Sequence, residues 1–207
     1  MRGLLSQTAR VAGDPPKDGK RPAVRVVATP GKHVPPGPLS VTNDILKAIS
    51  PTNGWILELG FTAGSSDGAK EQGSGWQVGY RIYISGDTLV VDELREIPKR
   101  LQGEKIGLTL VHLGGTTIPG PSAPLVMVTV DAHQGLELMQ LMDPDVTIPI
   151  HFDDYNVFLS PLSDFRDKVD KAGYQKRVVC LDRENPVGLP CGMIFEQSPA
   201  PIPTHGL

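Results

Sequence analysis

The sequence has little of what usually announces a mechanism. Only 5% of its 207 residues are aromatic, and it holds two cysteines and five histidines. The cysteines, Cys180 and Cys191, stand in separate apolar runs. They read as buried thiols and give no ground for a disulfide framework. No apolar run is long enough to cross a bilayer. No stretch is basic enough to grip a phosphate backbone, and the net charge is −3, which argues against nucleic acid as a partner. A nucleophile-based mechanism is not indicated either. Ser85 lacks a G-x-S-x-G frame, and neither cysteine has a histidine partner in the sequence. The runs GSG (73–75) and HLGGTT (112–117) are too short to cradle a phosphate. The opening MRGLLSQTARVAG carries two arginines and no acid, in the manner of an organelle presequence. Its apolar part is too short and broken for a secretory signal, so a cytoplasmic location is the default.

Proline and glycine, in contrast, are abundant, at 20 and 23 residues. This predicts strands and loops more than long helices. The length suits one domain with a proper core. Residues 1–22 are polar and read as a disordered lead-in, and 197–207 as a Pro-rich tail, leaving a single domain over 23–196. Strands are expected at 23–28, 55–59, 77–85, 107–113, 146–150 and 177–181, with a last one near 189–196. The run 125–130 reads as a strand or as the lead-in to a helix. Helices are expected at 42–49, capped by Asn43 or Asp44, and after residue 88, where Pro98 should split the helix. Two more are expected, at 131–142 capped by Asp131 and from Ser160-Pro161 to about Ala172. The Gly/Ser-rich stretch 60–75 reads as a flexible hairpin-like insertion. Strands dominate before residue 88 and alternate with helices after it. The pattern is that of an α/β domain with helices packed on a mixed sheet.

The chain is organised around Tyr80–Thr88, YRIYISGDT. Ile82 and Ile84 fall on one side of a half-buried strand, Arg81 and Tyr83 on the other. Gly86 permits a sharp turn that leaves the Asp87 carboxylate at the strand mouth. A histidine also follows a strand on either side of this motif: His33 after TPGK, and His151 in IPIHFDDY beside Asp153 and Asp154. Histidine, aspartate and histidine, each at the end of an apolar run, are what a metal site built on strand ends requires. Each has a plainer reading: loop histidine for His33, helix cap for Asp87, sheet-edge histidine for His151. For His112 in VHLGG and His133 in a helical first turn, the plainer reading is preferred.

Taken together, TPGKH, YISGDT, LVHLGG, MVTVDAHQG and IPIHFDDY resemble the metallo-β-lactamase superfamily, above all its UlaG-like, N-acylphosphatidylethanolamine phospholipase D-like branch. The resemblance covers roughly Val24 to Leu181. It implies an αββα sandwich of two similar halves, with metals at one edge between the sheets. It implies metal ligation by His33, Asp87 and His151, with Asp87 also placed at the reacting centre as the bridging carboxylate. Zinc is the implied metal, as one or two ions, with manganese or iron as alternatives.

The family's H-x-H-x-D-H motif is absent, since no histidine precedes His33. The chain therefore reads as the second half of such a domain, with a partial αββα sandwich as its fold. Two functions follow. One is a hydrolase whose metal-bound water attacks an ester, amide, lactone or phosphodiester of a small molecule, completed by a missing N-terminal half or a second copy in a homo-oligomer. The other is an inactive remnant acting as a binding or regulatory module. Either way, the sheet face that would meet the other half should be apolar and exposed.

Overall fold

A computed structural model of the chain describes residues 6–10, 20–46, 49–63, 75–120, 122–153 and 157–181. In chain order these form β1 (Ser6–Arg10), β2 (Lys20–Pro30), α1 (Pro38–Leu46), β3 (Asn53–Ala63) and β4 (Trp76–Ile84). Then come α2 (Glu96–Leu101), β5 (Leu108–His112), β6 (Thr117–Gly120), β7 (Ala123–Met127), α3 (Ala132–Met142), β8 (Val146–Ile150) and α4 (Leu162–Lys171). Six strands make one mixed sheet in the order β1-β2-β3-β4-β5-β8. From β1 to β4 the pairing is antiparallel. β4, β5 and β8 are parallel. Parallel neighbours require crossovers, which α2 and then the β6–β7 hairpin with α3 supply.

Side chains alternate across the strands, so each strand offers one row to either face. One row is the core. Ile56, Tyr83 and Val111 from the sheet join Leu94, Leu138, Met139 and Phe165 from the helical layer in a single buried cluster. At the far end of that face lies the buried carboxylate of Glu58, only 4% exposed. Arg81 Nε donates to its Oε1 at 3.0 Å, and Arg25 and Trp76 Nε1 donate to its Oε2. The opposite face carries Val26, Leu57, Ile82 and Leu110, all half-buried and none packed against the core. Trp55 and Leu59 on it are exposed, at 41% and 38%. Within YRIYI, then, Tyr83 faces the core and the isoleucines face away from it. An alternating strand shows two faces but not which of them is covered.

Several expectations are corrected. The lead-in contains β1, and β2 begins at Lys20, so strand pairing starts well before residue 23. The long β2 supplies β1 with a partner along its whole length, and backbone pairing needs no apolar pattern. The first helix starts at Pro38, as proline at a first helical position permits. Asn43 lies inside it, and its side chain instead holds the backbone N–H and C=O of Ile49. The helix after Thr88 does divide, into a 3-10 turn (Asp92–Arg95) and α2, but ahead of Pro98. Pro98 thus falls in the first turn of α2, where its missing N–H costs nothing. Asp131 caps α3 through the Gln134 N–H at 2.8 Å. Ser160 does not cap α4. Its Oγ accepts the Ala132 N–H at 2.9 Å and so closes the start of α3. The stretch 177–181 gives a single parallel bridge, Thr147 with Val178, rather than a strand. Residues 64–74, the expected strand near 189–196, Cys191 and the tail lie outside the described residues.

Candidate metal centre

The centre is assembled at the C-terminal ends of the parallel strands. After β4, Ser85 continues the pairing by donating its N–H to Leu110 O at 3.0 Å. Gly86 then turns at φ 63°, and a Cβ there would lie 2.5 Å from Asn53 O, so only glycine fits. Asp87 emerges from this turn. β8 delivers His151, which takes the left-handed conformation at φ 60°. Its Nδ1 lies 3.8 Å from Asp87 Oδ1 and 3.1 Å from Leu113 O. A carbonyl only accepts, so Nδ1 carries the proton and Nε2 keeps the lone pair. The edge of the Phe158 ring packs against this imidazole, with centroids 5.0 Å apart.

His33 stands apart from that pair. Its Nδ1 donates to Val128 O at 3.1 Å. Its loop is nonetheless laced to the segment after Asp87. Lys32 N–H donates to Thr88 Oγ1 at 2.9 Å, and Leu89 N–H donates to Lys32 O at 2.8 Å. A cleft of about 330 Å³ opens beside His33, lined by Ser40, Asn43, Ile49 and Thr52 among others.

His112, for which the sequence favours the plainer reading, also lies at this strand end. It ends β5, its ring centroid 5.9 Å from that of His151. Burial lowers its pKa, the nearby Asp87 charge raises it, and His151 lowers it further. Ser85 Oγ accepts its backbone N–H at 3.0 Å and lies 3.3 Å from its ring Nδ1. The only signal in the sequence was its place at the end of an apolar run before Gly114-Gly115. His133 is exposed on α3. Asp154 lies outside the described residues.

The donor chemistry fits a metal. A carboxylate and imidazoles suit zinc, and His33 and His151 are each anchored through Nδ1 by a backbone carbonyl, as ligating histidines commonly are. The geometry is incomplete: among the described residues, no three His, Cys, Asp or Glu side chains converge so as to hold one ion.

Comparison with known proteins bears on the fold. The chain is 26% identical over 103 residues to a UPF0173 metal-dependent hydrolase of Nanoarchaeum equitans, covering 50% of this chain and 41% of that protein. Its structure superimposes on an isothiocyanate hydrolase from Delia radicum gut bacteria with a TM-score of 0.54 at 13% identity, over 76% of this chain and 51% of the other. A possible metal-dependent hydrolase from Veillonella parvula gives 0.54 at 14%, over 77% and 52%. The chain shares the fold of these two hydrolases over about three quarters of its length. It spans about half the length of these relatives. No family model matches the sequence. In the mixed sheet, the candidate centre sits where β4, β5 and β8 end. None of the described helices is long and apolar enough to cross a membrane.

Proposed function

We propose that this chain carries part of the active centre of a metal-dependent hydrolase of the UlaG-like, N-acylphosphatidylethanolamine phospholipase D-like branch, acting on a small molecule in the cytoplasm. The observation that supports it is the approach of Asp87 Oδ1 to His151 Nδ1 across the end of β5, from the ends of β4 and β8 that flank it, with the imidazole anchored on Leu113 O. His33, Asp87 and His151 are the proposed ligands, and zinc the proposed metal, with manganese or iron as alternatives. Bound zinc supplies a water acidic enough to be hydroxide near neutral pH. The chain's own groups do the rest. Leu113 and Val128 carbonyls hold two imidazoles in the tautomer that leaves Nε2 free, and the Phe158 edge limits rotation of His151. Asp87, proposed as the catalytic carboxylate, holds negative charge beside the place where a proton is removed. The bond broken is an ester, amide, lactone or phosphodiester. The remaining ligands come from outside the described residues, from an N-terminal half or another copy of the chain.

A second reading, a binding or regulatory module without catalysis, is favoured by the lack of a converging ligand trio among the described residues. One experiment separates the two. Bound metal per chain is measured by elemental analysis after dialysis against zinc or manganese, for the wild type and Asp87→Ala. Near-stoichiometric metal that disappears in the variant is the expected result. Background metal in both proteins would overturn the hydrolase reading of this chain and leave the module.

A further inference from the structure

His112 is the imidazole at the strand ends that the proposed ligand set leaves unused. Along β5 it follows Leu108 and Leu110 in alternation, while Thr109 and Val111 turn into the core and are fully buried. It therefore stands on the face of the sheet away from the core, at the end of the strand that lies between β4 and β8. Asp87 follows the end of one of those neighbours and His151 the end of the other. The fold thus sets His112 between two groups already proposed to hold the metal.

Its hydrogen bonds decide which ring nitrogen is free. A serine hydroxyl has one proton to give and two lone pairs to receive with. Gly86 O, 2.9 Å from Ser85 Oγ, only accepts, so the hydroxyl proton goes there. One lone pair takes the backbone N–H of His112 at 3.0 Å. The other faces His112 Nδ1 at 3.3 Å, so Nδ1 carries the ring proton and Nε2 keeps its lone pair. Ser85 is fully buried, and water does not compete for these bonds. His33 and His151 are held in the same way, with carbonyl oxygens in place of the hydroxyl. An imidazole anchored through one nitrogen, with the other left to bind, is the usual state of a metal ligand.

The spacing of the rings agrees. Two imidazoles on one tetrahedral zinc, with Zn–N about 2.0–2.1 Å, hold their centroids about 5–6 Å apart. The His112 and His151 centroids are 5.9 Å apart, with their planes at 47°. We infer that His112 is a metal ligand and shares one ion with His151. This rests on the hydrolase reading for the presence of a metal at these strand ends, and adds a fourth residue to its ligand set. A pair is fewer than the converging trio that the described residues lack. The donors that complete the coordination come from outside those residues, as in that reading.

The test is a zinc titration of the full chain, with the imidazole nitrogens followed by NMR and the affinity by calorimetry. The Nε2 resonances of His112 and His151 should both leave the position of a bare lone-pair nitrogen and saturate at the same zinc concentration. That of His133, exposed on α3, should stay. His112→Gln should weaken zinc binding by about tenfold or more. Zinc that moves His151 and leaves His112 in place overturns the inference while the hydrolase reading stands, whatever the variant does. So does a folded His112→Gln that binds zinc as the wild type does. Should that variant fail to fold, the wild-type spectra decide alone. A wild type that binds no zinc overturns both readings.

Discussion

Ser85 Oγ is shared between two nitrogens of His112, the backbone N–H at 3.0 Å and the ring Nδ1 at 3.3 Å. It also donates to Gly86 O at 2.9 Å. One fully buried hydroxyl thus ties the turn that presents Asp87 to the strand end that presents His112. Ser85→Ala leaves a buried N–H and a carbonyl without that partner. A loss of about 1–3 kcal/mol is expected from urea denaturation. An unchanged midpoint would show that Ser85 only fills space.

Acid should weaken the fold through His112. Burial disfavours its charged form and Asp87 only partly compensates, so its folded pKa lies below the ordinary histidine value. Below about pH 6.5 the unfolded chain therefore holds more protons than the folded one, and stability falls as pH is lowered through that range. His112→Asn, which keeps a nitrogen near Ser85, should flatten the pH dependence of Tm there. Equal slopes in the two proteins would assign the effect to other groups.

Gly135 lies within α3, where replacing glycine by alanine ordinarily stabilises by about 1 kcal/mol. Here the opposite is expected. A Cβ would lie 2.5 Å from Leu113 Cδ2 and 3.2 Å from the Phe165 ring, and both of those side chains are buried. Gly135→Ala should cost about 1–3 kcal/mol, with part regained by adding Leu113→Val. A variant more stable than wild type would mean that α3 packs less closely than described.

Glu58 holds two arginines on the covered face, and the Arg81 side chain is only 11% exposed. Removing the carboxylate leaves Arg81 with only its ion pair to the exposed Glu104. Glu58→Ala is expected to lower stability by about 1–3 kcal/mol in guanidinium melts. A loss below about 1 kcal/mol would mean that the arginines reach water instead, as exposed pairs do.

Much of this fold was legible because its signals are local. YRIYISGDT ends its strand at a glycine that no other residue could replace, and Asp131 caps α3 through its own first turn. What was not legible depends on distant partners. β1 has no apolar pattern and exists because β2 pairs with it. Ser160 looks like a local cap, yet serves α3 from 28 residues away. His112 gains its place from Ser85, 27 residues earlier, through a parallel register that no spacing along the chain encodes. The hidden side of YRIYI was ambiguous for a different reason: both faces of the strand are built largely from apolar matter, so polarity could not rank them.

His151 keeps a left-handed backbone at φ 60°, a conformation that costs a residue with a Cβ about 1–2 kcal/mol. Denaturation midpoints should therefore place His151→Gly above His151→Ala, the reverse of the usual order, and the usual order would show that the turn relaxes when the ring is lost. Mutation that drifted under pressure for stability alone would settle on glycine at this position. Histidine at this turn therefore carries a backbone cost that glycine would avoid, and the imidazole is the only thing the position gains for it.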